Sequence, residues 1–181
     1  MLTFAAFTDE GSVTADFATG DVDITFDRSE DGSPEAYVSK LKLENAQIGD
    51  VTYATLLVNN SGSLPFSYTA MPRLNDDSDA GLAAALTIDA VRVTNTAGCV
   101  ASAFAATTSS PLTDVSELTL DRSAVLNSVG EDLPNSDLFC FEVTLPGSTT
   151  GDTAADNAND NTLQNKKAGI TIDFLATQLT S

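Results

Sequence analysis

The sequence has no histidine and no tryptophan, only eight basic residues and only two cysteines. Without histidine the chain lacks the commonest general base and the commonest zinc ligand. That excludes the HExxH metalloproteases, every His-dependent triad and the zinc deaminase pattern. No P-loop and no dinucleotide-binding glycine pattern occurs, and the nearest glycine-spaced stretch, Gly49 to Gly62, lies between strand-like runs. No apolar run approaches the ~20 residues that a membrane span needs. Met1 to Phe7 is too short, and lacks the basic flank, to be a secretory signal. With three tyrosines as the only amphipathic aromatics, a glycan-binding or protein-binding aromatic patch is poorly represented.

Carboxylates are abundant instead. Twenty-six acidic residues against eight basic ones give a net charge of −18 over 181 residues. Nucleic acid and anionic membrane surfaces would repel such a chain, so neither is expected as a partner. Hydrophobic content of 42% is enough for a core, and a chain of this length buries roughly 70% of its unfolded surface. Cys99 and Cys140 form no CxxC pair. An even count in an acidic, Thr/Ser/Asn-rich chain suits an exported protein with one disulfide. The alternative is two buried thiols. The expected location is outside the cell, with the signal peptide absent from this chain.

Periodicity points to strands. Leu43 to Ala70 (LENAQIGDVTYATLLVNNSGSLPFSYTA) opens on an Ile48-Gly49-Asp50 turn, where Gly supplies a positive φ. Val51 to Val58 is a β-branched and aromatic strand, Asn59 to Ser63 breaks the chain, and Leu64 to Met71 is the next strand. Ser12 to Phe17 and Tyr37 to Leu43 are further strands. From Asp21 to Asp27, Val22, Ile24 and Phe26 point one way, and Asp21, Asp23, Thr25 and Asp27 the other. Leu82 to Val93 reads mainly as strand, its Ala-rich start being able to begin as a helical turn. In Leu138 to Leu145, Phe139, Phe141, Val143 and Leu145 share a face, with Cys140 and Glu142 opposite. Gly169 to Leu179 closes the chain with Ile170, Ile172 and Phe174 inward.

Residues 94–137 read as a mixed insertion. Ser110-Pro111 has the form of a helix start, Val115 to Leu120 alternates like a strand, and Ser123 to Val129 before Gly130 reads as a short helix. Eight or nine short strands separated by turn signals predict an all-β fold with a few short helices, an antiparallel, jelly-roll-like β-sandwich. It spans residues 11–181 as a single domain, preceded by an extended segment, residues 1–10.

Three stretches carry a family resemblance: Ile48-Gly49-Asp50 with its strand, N-N-S-G-S and L-P-F-S-Y; Thr14 to Asp23; and Ala168 to Gln178 with its Ala-Thr-Gln ending. In their chain order they resemble the TasA/camelysin family of exported bacterial and archaeal proteins, over about residues 5–70 and 160–180. The resemblance implies a jelly-roll sandwich and assembly into extracellular fibres or a biofilm matrix. Camelysin also brings an association with metalloprotease activity, against which the missing histidines argue. No enzyme activity and no catalytic residue is expected. A cell-surface metalloprotease and a monomeric secreted surface-binding module stand as the alternatives to a structural subunit.

Self-assembly finds its device in the N-terminus. Leu2, Phe4 and Ala6 fall on one face of an extended segment, Thr3 and Ala5 on the other, with Phe7 near its end. A monomer gains nothing by exposing them. Residues 1–8 are expected to act as a donor strand for the next subunit, making the chain its own partner, with other matrix or cell-surface components as further candidates. No cofactor is expected. Calcium is the one ion whose ligand chemistry is present, in the loops Asn75 to Asp79 and Asp152 to Asp160, though neither matches an EF-hand. Asp21 and Asp23 read as a solvated strand face rather than an acid/base pair. Asn59-Asn60-Ser61 matches a glycosylation sequon and equally a turn.

Overall fold

The computed structural model describes residues 20–27, 48–127, 135–146, 163 and 165–178. The segments 1–8, Ser12 to Phe17, Tyr37 to Leu43 and Asp152 to Asp160 lie outside the described residues. What is described is all-β and antiparallel, in two sheets. The larger sheet takes β1 (Ile24–Phe26), β2 (Val51–Asn60), β7 (Ser136–Thr144), β4 (Thr87–Arg92) and β5 (Ser110–Pro111), paired in that order. The smaller runs β6 (Arg122–Leu126), β3 (Phe66–Leu74), β8 (Ile170–Gln178).

Alternation decides what each strand buries, because successive side chains leave opposite faces. Leu56 and Val58 of β2, Phe139, Phe141 and Val143 of β7 and Ile88 of β4 point inward from the larger sheet. Phe66 and Tyr68 of β3 and Leu126 of β6 meet them from the other side. Half-buried Ile170, Ile172 and Phe174 of β8 complete that layer. Aromatic rings pack at the centre: Phe174 lies 5.0 Å from Phe26 of the other sheet and 5.6 Å from Tyr68 of its own, centroid to centroid.

Several sequence expectations are corrected. The stretch Leu82 to Val93 divides: α1 (Ala80–Ala85) is a short helix rich in the strong helix former alanine, with the Asp79 carboxylate accepting the Leu82 N–H at 3.0 Å as N-cap, and strand begins only at Thr87. Of the helix expected over Ser123 to Val129, residues 123–126 are instead part of strand β6, because pairing with β3 outweighs a weak local preference, and Ser128 and Val129 lie outside the described residues. Ser110-Pro111 first forms the two-residue β5 against Thr87 and Ile88; a 3-10 helix, Leu112–Glu117, then starts with Pro111 at its N-cap position and no side-chain cap bond from Ser110, where alternation over Val115 to Leu120 suggested a strand.

Strand β3 continues through Pro72 to Leu74, past the expected end at Met71. The Asn75 N–H bonds to the Gly169 carbonyl at 2.9 Å, and β3 residues of the same parity bond to β8. Pro72 has the other parity, so its missing N–H faces away from β8, beyond the last β6 pairing at Tyr68. The Ala70 N–H points the same way and donates to the Asp121 carboxylate at 2.7 Å.

Gly49 has φ +91°, as its turn requires. The N-N-S-G-S break is more than a turn. Ser61 N–H donates to the Asp23 carbonyl, and Ser63 and Leu64 N–H both donate to that of Asp21. The Ser63 hydroxyl donates to the Asp21 carboxylate at 2.7 Å and, with the Ser63 N–H, holds its pKa below the ordinary value. Asp21 and Asp23 are therefore hydrogen-bonded ties between segments, not a merely solvated face. A Cβ on Gly62 would sit 2.6 Å from the Asp21 carbonyl oxygen and 2.7 Å from the Asp23 nitrogen, both backbone. Gly62→Ala is expected to destabilise by about 1–3 kcal/mol through this overpacking, measured by chemical denaturation. An unchanged midpoint would contradict the clasp.

Candidate functional site

Cys99 and Cys140 form a disulfide, with Cα atoms 5.2 Å apart. Cys140 is central in β7 on the face opposite the core, where the strand pattern put it. Cys99 ends the 3-10 turn Thr96–Gly98, whose Gly98 N–H donates to the Asn95 side chain. A second turn, Ala101–Phe104, follows, and its Phe104 ring is buried 6.1 Å from that of Tyr53. The disulfide thus fastens a flap of the middle segment over the outer face of the larger sheet. The hydrogen bonds within the flap are local 3-10 ones of poorer geometry, so the covalent link and Phe104 are what fasten it to the sheet.

At one end of the sandwich, Asp137 is 6% exposed and gathers groups from both sheets. Arg122 of β6 forms an ion pair with it, the Tyr68 hydroxyl donates at 2.7 Å, and Arg92 of β4 approaches to 3.8 Å. Burial, then the Asp137 carboxylate, pushes the Tyr68 hydroxyl above its ordinary pKa. Arg92 also lies 4.9 Å above the Phe139 ring and donates to the Leu120 and Asp121 carbonyls at 3.2 and 2.6 Å. Sequence reasoning missed this cluster. The available signal was that Asp137 shares the inward register of Phe139 and Phe141, where an acid needs a partner.

Two outer flanks of the sheets differ. Val93 N–H donates to Leu138 O, so the Ala90 N–H of β4 faces away from β7, beyond the short β5. It is capped by the neighbouring Asp89 carboxylate at 2.7 Å, and Arg92 covers the same flank. Charged side chains blunt this edge. On β8, the even-numbered residues Ile170, Ile172, Phe174 and Ala176 direct backbone groups away from β3, and no strand pairs with that side among the described residues. Their side chains face the core yet remain only half buried, and Leu175 on the outer face is strongly exposed.

The loop Asn75 to Asp79, a candidate for calcium by its ligand types, has protein partners. Lys167 pairs with Asp77, and Lys166 with Asp79 at 2.9 Å. Asn75 Oδ1 accepts from Thr171 at 2.7 Å. The Lys167 ammonium lowers the Asp77 pKa, and the helix N-terminus at Leu82, then Lys166, lowers that of Asp79. No group of three or more acidic, Cys or His side chains poised for a metal occurs among the described residues. No helix among them is long and apolar enough to cross a membrane. The donor-strand residues Leu2, Thr3, Phe4, Ala5, Ala6 and Phe7 lie outside the described residues. No family model matches the sequence, and no curated protein matches it.

Proposed function

We propose that this chain is a structural subunit of an extracellular filament or biofilm matrix, polymerising head to tail by donor-strand complementation. Residues 1–8 of one subunit add as a β-strand to the sheet of the next. The observation that carries this reading is the flank of β8: backbone groups directed outward, and inward apolar side chains left half buried beside them. Main-chain hydrogen bonds supply pairing there, and alternate side chains supply fit. Leu2 and Phe4 entering beside Ile172 and Phe174 would contribute about 3–6 kcal/mol per junction before ordering costs. Ten extended residues reach about 33 Å, enough to leave one sandwich for another. The contact joins unlike surfaces, so it propagates instead of closing as a dimer.

The jelly-roll arrangement has support in the connections. Consecutive strands β2 and β3 lie in different sheets, as do β6 and β7, while β2 pairs with β7 and β3 with β6. That is an antiparallel ribbon of two double strands folded across the sandwich, the unit from which a jelly roll is wound. The disulfide is at home in an oxidising compartment outside the cell.

Electron microscopy of the purified protein tests the proposal. Deleting residues 1–8, and separately Phe4→Asp, are each expected to give folded monomers where the parent chain forms filaments. Filaments of unchanged length and stability from both variants would rule the donor strand out.

A further inference from the structure

The amides of Asn59 and Asn60 are neighbours in sequence with opposite circumstances. Asn60 is fully buried, and its side chain binds the Leu64 and Leu126 carbonyls and the Gly62 N–H. Asn59 has the other parity and leaves the outer face of the larger sheet, half buried. Its side-chain amide makes no hydrogen bond among the described residues. Directly opposite on β7 is Ser136, and two residues earlier on the same face of β2 is Leu57. Both line a groove of about 690 Å³ that continues past Thr55 and Leu138 to Asn95 and Thr96 of the flap. This volume lies within the ~300–1,000 Å³ usual for small-ligand clefts, and its lining of hydroxyls, an amide, charged Asp27, Arg92 and Asp137 and apolar Leu57, Val93 and Leu138 offers a sugar both hydrogen bonds and apolar contact.

We propose that Asn59 is an N-glycosylation site whose first sugar lies along this groove. The inference rests on the export half of the function proposed above. Asn59-Asn60-Ser61 provides the acceptor asparagine, a non-proline middle residue and the hydroxyl at the third position. In the transfer, Asn59 Nδ2 bonds to C1 of the first sugar of a lipid-diphosphate-linked oligosaccharide. The C1–O bond breaks, the lipid diphosphate departs with its electron pair, and the amide nitrogen gives up one proton to base. The Ser61 hydroxyl donates to the Asp23 carboxylate at 2.6 Å in the folded protein, so a transferase reads it only before residues 21–23 dock. Modification therefore precedes completion of the fold, as it does on a chain still crossing a membrane.

The test is secretion of the full chain from yeast, with a glycosylated reporter as control, followed by peptide mapping by mass spectrometry. Asn59 is expected to carry a hexosamine-linked glycan that is lost in Asn59→Gln and Ser61→Ala and retained in Ser61→Thr. An unmodified Asn59 beside a modified reporter, or a glycan that survives Ser61→Ala, would overturn the proposal. Hydrogen exchange then locates the sugar: amides of residues 94–96 should exchange more slowly when a single trimmed sugar remains than in Asn59→Gln. Equal rates would sink the groove assignment. Both readouts are separate from filament formation, so failure of the assembly reading would not move them.

Discussion

Asp137→Ala is expected to destabilise the fold by about 3–5 kcal/mol, because it removes the carboxylate shared by a largely buried guanidinium and a buried phenol. Arg122 has a side chain 17% exposed and would lose its ion pair, and Tyr68, 1% exposed, would lose its acceptor. Arg92 is more exposed and keeps its carbonyl partners, so it adds little to the loss. Tyr68→Phe removes one hydrogen bond and leaves the charges compensated, so its cost should be about 1 kcal/mol. Urea unfolding of both variants decides the matter. If Asp137→Ala falls within about 1 kcal/mol of Tyr68→Phe, the four residues do not act as a unit.

Replacing both Cys99 and Cys140 with serine is expected to cost about 4 kcal/mol, from a cross-link spanning a sequence separation of 41 residues. Two effects combine. The unfolded chain regains loop entropy, and the flap keeps only Phe104 against Tyr53 and its backbone contacts. Chemical denaturation of the oxidised parent against the double variant measures the first, and hydrogen exchange over residues 96–104 the second. Two reactive thiols per chain under denaturing, non-reducing conditions would refute the bond itself.

Strands rich in β-branched and aromatic residues between turn signals were legible. Val51 to Val58, Leu138 to Leu145 and Gly169 to Leu179 differ from the observed strands by no more than two residues at either end, and Phe139, Phe141 and Val143 face the core as their spacing dictates. Between Thr94 and Leu126 the local signals conflict. Those residues gain their order from the sheet they lie on: the Arg92 contact at Leu120 and Asp121, the disulfide at Cys99, and β3 opposite β6. No window of sequence contains those partners. The Asp137 cluster is illegible for the same reason, since its members lie at positions 68, 92, 122 and 137 on four different strands. The unequal flanks of β4 and β8 follow from hydrogen-bond parity, which a periodic pattern does not reveal.

The pairing of β3 with β8 has a kinetic meaning. Arg73 meets Asp173 across 100 residues of chain, and Tyr68 meets Asp137 across 69. With loop closure so long-range, high contact order makes folding slow, on the millisecond-to-second scale of β-sandwiches. The smaller sheet gains its longest pairing only when β8, the last of the described strands, arrives. Until then β3 is an uncovered template for other chains, the state in which β-proteins aggregate. A net charge of −18 makes every waiting chain repel its neighbours. The acidity thus serves the interval before folding as much as the finished surface, holding nascent copies apart until each has closed its own sheets.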